Sequence, residues 1–63
     1  MQNFDQLIGK TIPEAEALLS LADMVLRKAK VDGEWMMGTC DYRLDRVNVI
    51  IENDVITEIQ GVG

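Results

Sequence analysis

The clearest pattern in the chain is Val47-Asn48-Val49-Ile50-Ile51, a β-branched run in which Val47, Val49 and Ile51 recur at period two. It predicts a strand over 47–52 with those three residues on the core face and Arg46 and Asn48 on the opposite one. Upstream, Ala15, Leu18, Leu19 and Leu21 or Ala22 recur at helical spacing. Thr11 followed by Glu14 makes a capping box, Pro13 suits the first turn, and Glu14 and Glu16 sit at the positive end of the helix dipole. A helix over 12–21 with one apolar face follows. Met24 to Val31 reads as a first strand, and Asn53-Asp54 is a turn signal leading to a shorter strand over 55–60. Glu52-Asn53-Asp54 resembles a calcium ligand set only superficially, because the central glycine and acidic spacing of such loops are missing. The order helix, strand, loop, strand, strand gives an α+β fold, with the helix packed on a small sheet of about three strands.

The long interval from Asp32 to Arg46 carries no periodicity. It holds the one Trp, the one Tyr and the one Cys of the chain, with Arg43 and Arg46 at its far end. Long structureless loops in compact domains are uncommon and usually functional. Such a loop needs something to hold it, and the strand that follows offers a candidate. Arg46 and Asn48, on the face away from the core, can reach back beneath it. An arginine fork matched to Asp41 or Thr39 makes a charge-assisted brace. The plainer reading is that Arg43 and Arg46 are ordinary surface residues, and periodicity alone does not separate the two.

Composition narrows the function classes. With 63 residues the chain is a single domain, 1–63, and buries only about 60% of its unfolded surface. One cysteine and no histidine leave no internal disulfide and no structural zinc site. No cofactor is expected. A net charge of −5 and a pI near 4.3 argue against nucleic acid and against an anionic membrane surface. The basic run Arg27-Lys28-Ala29-Lys30 reads as a solvated strand face. No apolar stretch approaches a membrane span. The start, Met1-Gln2-Asn3-Phe4-Asp5, lacks the features of a signal peptide, so a cytoplasmic or already mature secreted protein is expected. Catalysis is not expected either. Cys40 has no histidine base, and neither Ser20 nor the carboxylates form a nucleophile–base arrangement.

Several segments in order resemble one family. Phe4-Asp5-Gln6-Leu7-Ile8-Gly9-Lys10-Thr11 is similar to an aromatic, an apolar pair, then Gly-Lys-Ser/Thr at a helix cap, followed by Ile12-Pro13-Glu14-Ala15. Thr39-Cys40-Asp41-Tyr42-Arg43-Leu44-Asp45-Arg46-Val47 is the most specific segment, and Gly61-Val62-Gly63 closes the series. Together they resemble the potato inhibitor I family, the eglin-like serine protease inhibitors and their small bacterial relatives. That resemblance implies a mixed sheet, with an inhibitory loop joining two parallel strands. It implies reactive-site residues Gly38, Thr39, Cys40, Asp41, Tyr42 and Arg43, with Cys40 entering the protease's specificity pocket and Cys40–Asp41 as the scissile bond. Bracing falls to Arg46, Asn48 and Gly63. Asn48 stands where many members carry a second arginine, as it does in the bacterial relatives, and the approach Gly33-Glu34-Trp35-Met36-Met37-Gly38 is slightly longer than the family's.

The partner so implied is a subtilisin-, chymotrypsin- or elastase-like serine protease, bound by a monomer, with a Cys40-linked dimer as an oxidised form. Cys40 as a redox-sensitive thiol is a competing reading. Another is a non-inhibitory binding module that presents Trp35-Met36-Met37 as an apolar contact. Those three residues also fit packing under the loop or against the helix edge.

Overall fold

The computed structural model describes residues 4–36 and 43–63. A 3₁₀ turn at Asp5–Leu7 leads into helix α1, Ile12–Ser20. Four strands follow: β1, Val25–Val31; β2, Glu34–Trp35; β3, Arg46–Glu52; and β4, Val55–Val62. They form one sheet in the order β2-β1-β3-β4. The β1–β3 pair is parallel, and both outer pairs are antiparallel. The architecture is the expected α+β, a helix on a mixed sheet, with a fourth strand that the sequence reading left inside the loop.

That extra strand shortens the predicted 32–46 loop. Asp32 and Gly33 adopt left-handed conformations, φ 50° and 85°, and Val31 pairs with Glu34. This is a two-residue hairpin of the kind whose twist matches its flanking strands. Asn53 and Asp54, φ 53° and 63°, make the equivalent turn between β3 and β4, where Glu52 pairs with Val55. The turn reading of Glu52-Asn53-Asp54 therefore holds. The two turns share one end of the sheet and are joined through Asp32. Its N–H donates to the Ile51 carbonyl at 2.8 Å, and its Oδ1 accepts from the Asn53 N–H at 2.8 Å.

The capping box forms in part as predicted: Glu14 Oε1 accepts from the Thr11 hydroxyl at 2.9 Å and from the Thr11 N–H at 3.2 Å. Both bonds favour the carboxylate and hold Glu14 below its ordinary pKa. The helix buries Ala15 and Leu19 against Leu7, Met24, Val47, Val49, Ile51 and Ile56, with Ile12 and Leu18 packed alongside. Leu21 is the exception to the predicted apolar face. The helix stops at Ser20, and Leu21 lies 86% exposed beyond it.

On β3 the burial alternates as its period predicts, with Val47, Val49 and Ile51 inward and Arg46, Asn48 and Ile50 on the other face. The first strand behaves differently from the solvated face expected of Arg27 to Lys30. The register of β1 on β3 slips between Lys28 and Lys30, Ala29 is buried, and Arg27 and Lys30 are half-buried. An extra residue in one strand of a pair re-aims its side chains and breaks simple alternation. Lys30 also sits over the Trp35 ring, 5.0 Å from its centroid, a cation–π geometry.

Candidate functional site

The sequence reading placed the site on the connection between β1 and β3. Gly38, Thr39, Cys40, Asp41 and Tyr42 lie outside the described residues, as does any contact of Arg46 with Thr39 or Asp41. What is described is the frame: the two shoulders of the connection and the residues beneath its far end.

Both shoulders are fastened to β1. The Met36 N–H donates to the Ala29 carbonyl at 2.9 Å, which carries the β1–β2 hairpin one residue past Trp35. On the other side, the Val25 N–H donates to the Asp45 carbonyl at 2.8 Å. Because β2 and β3 flank β1 on opposite edges, the chain leaves one edge of that strand near its end and returns to the other edge at its start. The returning shoulder is further set by Arg43. Its Nε and Nη2 donate to the two Asp45 carboxylate oxygens at 3.0 and 2.9 Å. This two-pronged bond holds Asp45 below its ordinary pKa. Both side chains are nearly half exposed, so the pair orients the shoulder more than it stabilises the fold.

Beneath the shoulder, on the face away from the core, runs a chain of polar contacts. Arg46 Nε donates to the Gly63 carbonyl at 2.7 Å, and the Gly63 N–H returns a bond to the Arg46 carbonyl at 3.0 Å. Asn48 Nδ2 donates to the same Gly63 oxygen at 3.3 Å, a longer bond. Asn48 Oδ1 accepts from Arg27 Nη1 at 3.2 Å. The amide orientation follows from its neighbours: a guanidinium can only donate and a carbonyl can only accept, so oxygen faces Arg27 and nitrogen faces Gly63. The three side-chain bonds are partly buried.

The three expected bracing residues, Arg46, Asn48 and Gly63, thus meet at one point, the Gly63 carbonyl. Sequence reasoning missed Arg27. The signal available was weak: a basic residue on a strand whose partner in the sheet carries an amide, visible only once the parallel register pairs Arg27 with Asn48. Trp35 and Met36, at the leaving shoulder, are 63% and 45% exposed. Leu44 is exposed on the returning one.

No family model matches this chain, and no curated protein matches it.

Proposed function

We propose that this chain is a substrate-like inhibitor of serine proteases. In this reading residues 38–43 are the contact segment, Cys40 is the specificity residue and Cys40–Asp41 is the scissile bond. The observation that carries it is the brace. A connection between two adjacent parallel strands has both shoulders bonded to β1, and a half-buried arginine lies beneath its return. The rest of the support is the resemblance of Thr39 to Val47 to the eglin-like inhibitors.

The physics of such an inhibitor rests on pre-organisation. A protease takes an extended segment by backbone hydrogen bonds and reads one side chain in a pocket. Ordering a flexible peptide costs about 0.5–1.5 kcal/mol per immobilised side chain, and a segment already held in shape avoids much of that. If the bond is cut, the scaffold keeps the new ends close, so religation competes with hydrolysis. The cysteine at the specificity position suits an apolar pocket of the subtilisin, chymotrypsin or elastase kind. The chain acts here by binding, as a monomer, and not as an enzyme.

Stoichiometric titration against subtilisin and chymotrypsin tests the proposal. One-to-one loss of protease activity is expected, and rapid turnover of the chain with neither enzyme inhibited would sink it for those targets. Cys40→Lys is expected to move preference toward trypsin-like enzymes, and an unchanged profile would mean that the scissile bond lies elsewhere.

A second reading has its own observation. The exposure of Trp35 and Met36 suits a non-inhibitory module that binds another protein through Trp35-Met36-Met37. Trp35→Ala separates the two, because it leaves protease titration intact in the first reading and removes the largest side chain of the contact in the second.

A further inference from the structure

We infer that Arg27 is a positioning residue of the brace: from the neighbouring parallel strand it fixes the Asn48 amide so that nitrogen, and not oxygen, meets the Gly63 carbonyl. The inference rests on the proposed role of the brace beneath an inhibitory loop, although the contact itself does not depend on that role.

Asn48 is an ambiguous group. Its amide presents a donor and an acceptor of nearly the same shape, and turning it over exchanges the two. With oxygen toward Gly63, two acceptors face each other and the bond is lost. Gly63 is the shared anchor of Arg46 and Asn48, so a turned amide loosens the point on which Arg46 is seated. Arg27 removes the ambiguity because it has donors and no acceptor. Nη1 lies 3.2 Å from Asn48 Oδ1 in a partly buried contact, and the register makes the two residues direct neighbours. The basic run around it divides accordingly. Lys28 is exposed and Lys30 covers the Trp35 ring, while Arg27 turns its guanidinium onto β3. Arg46 thus reaches Gly63 directly, and Arg27 acts on that anchor at second hand through Asn48.

Arg27→Met tests this while keeping the apolar stem that covers the sheet. Hydrogen exchange is followed by NMR at the Arg46 Nε–H and the Gly63 N–H, with the core Val49 N–H as a control for global opening. Loss of one charged hydrogen bond predicts about tenfold faster exchange at the first two sites and none at Val49. Adding Asn48→Ala to Arg27→Met should bring no further acceleration, since both act through one amide. Unchanged exchange in Arg27→Met, or full additivity in the double variant, overturns the inference. Should Arg27→Met unfold, Arg27→Lys decides. A lysine ammonium can still donate to Oδ1, so exchange close to wild type supports the role, and tenfold acceleration in a folded lysine variant overturns it. Cleavage of each variant by subtilisin is measured in parallel, and faster cutting is expected to follow faster exchange. A wild-type chain that inhibits no protease removes the proposed function, while the exchange results still decide what Arg27 does.

Discussion

The two ends of the sheet are held by different means. At one end the turns Asp32-Gly33 and Asn53-Asp54 close by backbone geometry, with all four residues in left-handed conformations and a single Asp32 carboxylate tying one turn to the other. At the opposite end Arg46 and Asn48 converge by side chain on the Gly63 carbonyl, and Arg27 joins them through Asn48. The difference separates two tasks. Turn geometry sets which strand lies beside which and so bears on stability. A side-chain network can be altered with the strands left in place, and so bears on the shape of what the end presents.

Substitutions at the two ends should therefore fail in different ways. The largest effect on function is expected from Arg46→Ala, which removes a partly buried charged donor of the kind whose loss costs about 1.5–3 kcal/mol. Inhibition should weaken, and cleavage by subtilisin should accelerate, by about ten- to hundredfold on that basis. The core strands stay paired throughout. Inhibition constant, cleavage rate and thermal midpoint measured together check it, and an unchanged cleavage rate would show the brace to be inert. Gly33→Ala should do the reverse. Space for the new methyl is open, but φ +85° is strained for any L-residue, at a cost of about 1–2 kcal/mol. Chemical denaturation should show that loss while the folded fraction inhibits as before; a change in inhibition at constant stability would collapse the distinction between the ends.

The smallest effect belongs to the Arg43–Asp45 pair. The hydrogen bond from Arg43 puts the folded pKa of Asp45 below its ordinary 3.8. The pair's contribution is therefore complete above 3.8 and is lost as pH falls from there through the lowered value. An NMR titration of the Asp45 carboxyl should show the lowered midpoint in the native chain and a return toward the ordinary value in Arg43→Ala. Equal midpoints in the two proteins would mean that the shoulder is not held by this bond.

How much of this was legible in the sequence also divides by end and by distance. The capping box at Thr11 and Glu14, the alternation of Val47, Val49 and Ile51, and the Asn53-Asp54 turn are local signals, and each appears where its residues put it. Asp32-Gly33 is as strong a turn signal, but β2 is only two residues long, too short to show any period, so the hairpin stayed hidden inside a loop. The face of Arg46 and Asn48 followed from period two. Their common acceptor came only from the family resemblance, because Gly63 reaches them through the register of β4, which no local pattern shows. Arg27 was hidden for the same reason: the partner that turns a charge run into a half-buried contact belongs to another strand. Leu21 shows the converse. Its spacing fits the apolar face, but the helix ends before reaching it.

The contacts at the Gly63 end also differ in what they require of the chain. The contacts of Arg46 and Asn48 with Gly63 lie within the β3–β4 hairpin, which can zip from the Asn53-Asp54 turn without the rest of the chain. Hairpins of this kind close in microseconds. The Arg27 contact waits for the parallel β1–β3 pairing, a non-local step that must first close the intervening connection. Arg46 and Asn48 therefore need only the β3–β4 hairpin to meet Gly63, while Arg27 needs the β1–β3 pairing as well.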